Sequence, residues 1–373
     1  MVVKVGIPVS LTGQFSLQGA QTLAGISAWA GDVNRTGGLA VGGRKAPVEI
    51  VWRDDGSQRD KARAITERLI TGDDVDLLVG PYSAMLTNAA AEVAQSHGKL
   101  LWNQGGASPL VYRQGNPWVV GTLTPADEYL AGLLPAVREV RPEAATVAIA
   151  RAETGAFPRD VAAGVEAASA ALGFRVVLSL RFDAEADEFS GVVDAVRQSA
   201  PDVLVVAGRF QNDLNLAELL AESGPPIGVV AVVAAGVDAF RQRLGGRAEN
   251  FIGPSQWEPD AGYAVDYGPG IAEVQASLRR AGHPVVDYPM AQAYAVGVVI
   301  QRCAEECGAL DDAELRQAAA SLDFTTFYGR FRIDAETGRP IGKPALLVQW
   351  RYGRKAIVWP MEHRNEKLAH PWR

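Results

Sequence analysis

VKVGIPVSLTGQFSLQG, residues 3–19, decides the fold. Val3–Ser10 is an apolar run of the kind that forms a strand buried on both faces. It breaks into a loop, Leu11–Gln18, that carries glycine and serine. Ala20–Val33 then reads as a helix, ended by Gly37–Gly38. The same unit of strand, short loop and helix recurs as far as about Ser108. PVEIVWRDD (47–55), DLLVG (76–80) and KLLWN (99–103) are the next strands. Lys61–Ile70 is an amphipathic helix with Ala62, Ile65, Leu69 and Ile70 on one side, and Ala84–Gln95 is another. WVVGTLTP (118–125) reads as an exit from this set rather than as another unit.

A second set follows. Its strands are ATVAIA (145–150), RVVLSLR (175–181), DVLVVAG (202–208) and IGVVAVV (227–233), with helices of ten to fourteen residues between them. Strands alternating with such helices predict a parallel sheet with right-handed crossovers. Phe251–Gln256 reads as a returning strand. Gly268–Ser321 is helical, and Ala345–Tyr352 and Lys355–Trp359 are late strands. One sheet of ordinary size cannot absorb all of this. The expectation is an α/β protein of two lobes with parallel central sheets and a cleft between them. Lobe one is expected at 1–121 plus 256–325, and lobe two at 122–255 plus 326–373. The crossings are expected near Thr122–Thr124, Gly253–Ser255 and Thr325–Tyr328.

Bulk properties agree with two globular domains. The chain has 373 residues, 48% hydrophobic and 21% charged, which exceeds what one core supports. The net charge of −7 argues against nucleic acid, which needs a clustered basic surface. No apolar run reaches the roughly 20 residues of a membrane helix, so no direct membrane insertion is expected. The chain opens straight into a strand, so an exported protein would have lost its signal peptide, with Met1 an added start. The two cysteines, Cys303 and Cys307, define no disulfide framework. They stand four apart on one helix face and read as two thiols rather than a metal pair or a bridge.

Enzyme chemistry is not written into the chain. G-x-G-x-x-G at the first strand, G-x-x-x-x-G-K-[ST] and G-x-S-x-G are all missing, so phosphate cradle and nucleophile elbow are not expected. The four histidines, His97, His283, His363 and His370, are scattered and off metal-ligand spacing. Asp54–Asp55, Asp73–Asp74 and Asp311–Asp312 read as strand-end, loop and helix-start residues. No cofactor and no metal are expected.

In open α/β sheets ligands bind beyond the carboxyl ends of the strands. Here those are the loops Leu11–Gln18, Pro81–Ala84, Gln104–Pro109, Arg151–Pro158, Gly208–Asp213 and Ala234–Asp238. Three of them open helices, whose free N–H groups suit a carboxylate or another anion.

The segments IPVSLTGQFSLQG (7–19), NRTGG (34–38), VWRDDGSQRDKA (51–62), VGPYSAMLTNAAAEVA (79–94) and QWRYGRKAIVWP (349–360) carry a resemblance. The chain resembles the type I periplasmic solute-binding proteins of the branched-chain amino-acid and amide class. The resemblance covers nearly the whole chain. It implies two Rossmann-like lobes, a three-segment hinge, capture of a small solute between the lobes and delivery to the membrane permease of an ABC importer. It also implies a periplasmic or extracytoplasmic location, a monomer and no enzymatic activity. A cytoplasmic amide sensor on the same fold, a branched-chain amino-acid binder and an α/β enzyme are the competing readings.

The resemblance also locates the site, and there the chain departs from the amino-acid binders. In that family a Ser or Thr hydroxyl heading the helix after strand three holds the ligand carboxylate, and a second hydroxyl comes from the loop after strand four. The matching positions are Ala84 and Ala107, with Ser83 and Ser108 one residue away. The acidic partner of the ligand ammonium falls at Ala234 or Ala235, and the tyrosine of the G-x-Y loop at Phe210. A buried ammonium without a partner costs several kcal/mol. Glu153 and Asp213 are the nearest substitutes. The expected ligand residues are Phe15, Tyr82, Ser83, Ala84, Trp102, Gly106, Ala107, Ser108, Phe157, Phe210 and Ala235. Trp102 ends a strand and equally suits a core position. The lining favours a small or aromatic carboxylate or amide over leucine, isoleucine or valine.

Overall fold

The computed structural model describes residues 2–112 and 115–372; Met1 lies outside them. In chain order the strands are β1 (Val3–Val9), β2 (Leu39–Val41), β3 (Arg44–Ala46), β4 (Val48–Asp54), β5 (Leu77–Val79), β6 (Leu101–Asn103), β7 (Val119–Gly121), β8 (Thr146–Ala152), β9 (Arg175–Phe182), β10 (Val203–Ala207), β11 (Val229–Val232), β12 (Ile252–Ser255), β13 (Phe324–Thr326), β14 (Gly329–Phe331), β15 (Leu346–Arg351) and β16 (Arg354–Trp359). The helices are α1 (Ser16–Arg35), α2 (Arg59–Thr71), α3 (Ala84–Ser96), α4 (Leu133–Val140), α5 (Ala156–Leu172), α6 (Ser190–Ser199), α7 (Phe210–Ser223), α8 (Asp238–Leu244), α9 (Ile271–Arg280), α10 (Tyr288–Cys307) and α11 (Asp312–Ser321).

The chain divides into two compact units. Unit 1 is Met1–Pro125 with Tyr263–Lys343, and unit 2 is Ala126–Gly262 with Pro344–Arg373. Each is an α/β unit with a parallel central sheet, the fold class that the strand–helix alternation predicts.

Unit 1 holds a five-stranded sheet of order β4-β1-β5-β6-β7, parallel throughout. β1 lies inside the sheet, between β4 and β5, and every residue but Lys4 is buried, so both its faces need cover. One face takes α2 and α3, with Leu69, Leu78, Ala90, Leu101 and Val119 in a shared core. Helices α1 and α10 also belong to this unit and approach very closely. A Cβ on Gly25 would lie 2.1 Å from the Met290 carbonyl, and one on Gly297 would lie 2.2 Å from the Trp29 ring. Only glycine lets the backbones meet there.

Unit 2 holds a seven-stranded sheet of order β16-β15-β12-β11-β10-β8-β9. β9, β8, β10, β11 and β12 are parallel. β15 and β16 add an antiparallel edge. β10 and β11 are buried at every position, as continuous Val-rich runs require.

Three expectations need correction. Val119–Gly121 is not merely an exit: it pairs with β6 and completes the first sheet, since its three apolar residues are wholly buried there. Residues 326–343 belong to unit 1, not to the second lobe. β13 pairs with β14, Ile333 bridges Pro340, and the Gly121 amide donates to Gly338, so this stretch is bonded into unit 1 throughout. The boundaries therefore fall at Pro125/Ala126, Gly262/Tyr263 and Lys343/Pro344. Gly253–Ser255, expected as a crossing, is instead ladder-bonded within β12.

Candidate functional site

The loops at the carboxyl ends of the unit 1 strands are held by a dense set of hydrogen bonds. After β1, the loop carrying Phe15 is clamped from the end of β4. Asp54 accepts from the amides of Leu11 (2.9 Å), Thr12 (3.3 Å) and Gly56 (2.9 Å) and from the Thr12 hydroxyl (2.8 Å). Burial pushes its carboxyl up, but these hydrogen bonds prevail and hold it below the usual carboxylate range. Asp55, fully buried, accepts from the Ser10 hydroxyl (2.6 Å) and the Ser57 amide (2.8 Å), and burial raises its pKa. Ser57 donates its hydroxyl to the Thr12 carbonyl and accepts from the Phe15 amide at 3.1 Å. Phe15 is thereby fixed by residues remote from it in sequence.

Ser83 heads α3. Its hydroxyl accepts from the Leu86 amide at 3.3 Å, and its amide donates to the Gly105 carbonyl at 3.0 Å. Its backbone sits at φ 91°, ψ 146°, a region that only glycine occupies freely. Such strain costs of order 1–3 kcal/mol and persists where surrounding structure imposes it, commonly at ligand clamps. Tyr82, next to it, lies 6.1 Å from Phe15, ring to ring, and hydrogen-bonds to Tyr288 at the start of α10. Desolvation raises the Tyr82 hydroxyl, and the bond with Tyr288 works the other way. Phe15, Tyr82 and Tyr288 form an aromatic group beside the open N-terminus of α3.

The loop after β6 is tied to the same place. Asn103 accepts from the amides of Gly105 (3.2 Å) and Gly106 (2.8 Å). A Cβ on Gly106 would lie 2.5 Å from Thr87 of α3, so that position must be glycine. Ala84, Gly106, Ala107 and Ser108 are all buried, and Ser108 accepts from the Leu110 amide at 3.3 Å. Trp102 is fully buried within β6 and sits in the core of unit 1.

In unit 2 the expected residues come from three separate elements. Phe157, half-buried on α5, meets Tyr129 edge-on at 5.4 Å. Phe210, at the start of α7, is partly buried and packs against the unit 2 core. Ala235 is fully buried in the 3-10 turn Val233–Gly236, and its carbonyl accepts from the Trp350 indole at 2.9 Å. Asp213 plays a structural part. One of its oxygens accepts from the Gly208 amide (2.6 Å), the other from the Ala234 amide (3.0 Å). It brackets the loops after β10 and β11. Complete burial pushes its carboxyl up to about 8 against the pull of those two bonds. Glu153, the other acid weighed as an ammonium partner, is exposed at the end of β8.

Sequence reasoning does not find Tyr288, Tyr129 or the Asp54–Ser57 clamp. Tyr288 stands 206 positions after Tyr82, and only the Tyr-Pro pair opening a helix signals it. The Asp54–Asp55 pair is a strand end, as expected, but its role as a clamp on another strand's loop has no local signal.

The family profile for periplasmic binding proteins matches residues 2–355, so the chain belongs to that family, one of binding proteins rather than enzymes. Leu/Ile/Val-binding protein homolog 8 of Brucella abortus is 25% identical over 219 residues, 57% of this chain and 52% of the relative. The match thus spans about half the length of the curated relative. Among solved structures, an ABC transporter solute-binding protein from R. palustris in complex with benzoate has a TM-score of 0.80 at 19% identity, with 96% of each chain covered. The branched-chain amino acid transporter substrate binding protein of Streptococcus pneumoniae, in complex with isoleucine, has a TM-score of 0.81 at 18% identity over 100% of both chains. Another R. palustris solute-binding protein, in complex with 4-hydroxybenzoate, has a TM-score of 0.78 at 21% identity, covering 96% of this chain and 95% of that one. These likenesses establish the type I periplasmic binding protein fold. Among the described residues no helix is long and apolar enough to cross a membrane.

Proposed function

We propose that this chain is an extracytoplasmic solute-binding protein that captures a small organic carboxylate or amide and delivers it to the permease of an ABC importer. It works as a monomer and without a cofactor. The observation that carries the reading is Ser83. A strained serine opens α3 beside Phe15, Tyr82 and Tyr288, so helix N–H groups that suit an anionic oxygen adjoin aromatic surface that suits a ring. Asp213, wholly buried and with a backbone amide on each oxygen, is poorly placed to meet a ligand ammonium, which supports a ligand without one. The expected preference is therefore for a benzoate-like acid over a branched-chain amino acid. Ligand residues in this reading are Phe15, Tyr82, Ser83, Ala84, Gly106, Ala107 and Ser108.

Calorimetric titration with benzoate, 4-hydroxybenzoate and isoleucine tests it, backed by thermal shift. A ligand at 100 times its dissociation constant stabilises by about 2.7 kcal/mol. Tight binding of isoleucine with no binding of either benzoate overturns the preference and supports the branched-chain reading, which the name of the Brucella relative favours. Fractionation of cells expressing the native gene separates an extracytoplasmic carrier from a cytoplasmic sensor.

A further inference from the structure

Four buried polar side chains of unit 1 stand in a row that the solute-binding reading leaves unexplained. Gln104, Gln292, Tyr328 and Lys343 come from the loop after β6, the first turns of α10, the β13–β14 turn and the end of the unit's last segment. Gln104 donates its amide to the Gly80 carbonyl at 3.0 Å. Gln292 reaches the Gln104 carbonyl oxygen at 3.5 Å, the loosest link. The Tyr328 hydroxyl donates to Gln292 at 3.1 Å. The Lys343 Nζ lies 3.4 Å from the centre of the Tyr328 ring, and the Lys343 carbonyl accepts from the Thr124 hydroxyl at 2.9 Å. Thr124 and Lys343 are at the ends of two of the unit 1 segments, one residue from a boundary in the first case and on it in the second.

The other end of the row is where the two solute loops meet. Gly80 precedes Pro81–Ala84, and Gln104 begins Gln104–Pro109. The backbone bonds that join these loops, Gly80 amide to Trp102 carbonyl (2.9 Å) and Ser83 amide to Gly105 carbonyl (3.0 Å), flank the Gln104–Gly80 link. Burying two glutamines, a tyrosine hydroxyl and a lysine amine is costly unless each is satisfied, and a satisfied buried network fixes a single arrangement of the segments it joins. Apolar residues would fill the same space at less cost in desolvation. The polar choice therefore has a positional consequence, and the position it sets is that of the loops.

We propose that the Gln104–Gln292–Tyr328–Lys343 row is a positioning device that sets the spacing of the loops after β5 and β6 from the segments that end unit 1. None of the four is a ligand residue; each acts through its neighbour on the backbone that presents Tyr82, Ser83, Ala107 and Ser108. The proposal rests on the reading of those loops as solute loops, and it is tested without any solute.

The experiment is amide hydrogen exchange by mass spectrometry on the solute-free, full-length chain and on two variants. Tyr328→Phe removes one hydroxyl and keeps the ring under Lys343. Gln292→Met keeps the volume and removes both hydrogen bonds. The expected result is at least about fivefold faster exchange in peptides covering 80–87 and 103–110, with peptides of β8 and α5 within about twofold of the parent. A residue with only a general structural role would loosen its own surroundings or the whole unit, not these two loops. Unchanged loop exchange in Tyr328→Phe overturns the proposal, as does a uniform rise across the chain. If Gln292→Met does not fold, Tyr328→Phe decides alone. Failure of every solute in the calorimeter, with the loops loosened as expected, rejects the solute reading and leaves the positioning device standing.

Discussion

Ser83 in unit 1 and Gly155 in unit 2 both head a helix with nearly the same backbone. Their dihedrals are φ 91°, ψ 146° and φ 102°, ψ 141°. Glycine reaches that conformation without strain, and serine does not. Two related helix starts thus solve one geometric problem differently, and the strained solution sits where a hydroxyl caps the helix and an aromatic pair lies alongside. Other loops at the strand ends are also fixed in contrasting ways in the two units. In unit 1 an exposed, ionised Asp54 gathers four donors. In unit 2 a wholly buried Asp213, with its carboxyl pushed up to about 8, gathers two. The lesson is that one fold can fix its strand-end loops by a solvated charge or by a desolvated acid, and the two respond oppositely to pH.

The largest effect is expected at Asp213. Asp213→Ala leaves the Gly208 and Ala234 amides buried without an acceptor, each at about 1–3 kcal/mol, so urea denaturation should show a loss of roughly 2–6 kcal/mol. The pH dependence has a definite sign. The folded pKa of about 8 lies above the ordinary value of 3.8, so the native state holds the proton more tightly than the unfolded chain. The stability from this group is complete below about pH 4 and declines as pH rises toward and through 8. Midpoints measured at pH 5 and pH 9 should therefore differ less in Asp213→Asn than in the parent. Equal differences would remove the buried acid from the comparison.

Next in size is Asp54→Ala, which releases the loop that carries Phe15. A loss of about 1 kcal/mol is expected, since the carboxylate is exposed and its bonds compete with water. Here the sign reverses. The folded pKa is lowered, so the contribution is present above the ordinary value and disappears as pH falls below about 4. Thermal melts at pH 3 and pH 7 check this: parent and variant should converge at the lower pH.

The smallest effect on stability is expected at Ser83, and it sharpens the comparison with Gly155 most. Ser83→Gly relieves the strain but loses the cap and loosens the unfolded chain, so the net change should stay within about 1 kcal/mol. Ser83→Ala keeps the strain and loses the cap, at a cost of about 1 kcal/mol. Solute affinity should fall in both variants, whatever the sign on stability. An affinity unchanged in Ser83→Gly would make the serine a structural cap and nothing more.

The sheets are legible in the sequence because buried parallel strands are continuous apolar runs. Val3–Val9, Val203–Ala207 and Val229–Val232 announce themselves in this way, and the glycine-bearing loops mark their carboxyl ends. Val119–Gly121 reads as an exit because three residues carry no periodicity. The β2–β3 hairpin escapes notice for the same reason. Residues 326–343 fall on the wrong side of the expected lobe boundary because their bonds run to Gly121 and within their own turn, and no local pattern reports a partner about 200 positions away.

Residue type and strand-end position single out Phe15, Tyr82, Trp102, Phe157 and Phe210 as candidates, and the resemblance adds Ser83. They are not enough to find Tyr288 or the Gln104–Gln292 contact. Sequence alone determined the two-unit α/β organisation and which loops lie at strand ends, because periodicity and turn chemistry are local properties of the chain. Tertiary structure alone decided that Ser83 is strained, that Asp213 is wholly buried and holds two loops, and that Trp102 is core. Those outcomes depend on burial and on hydrogen bonds between residues remote in sequence, and a side chain's burial is fixed only when the rest of the fold closes over it.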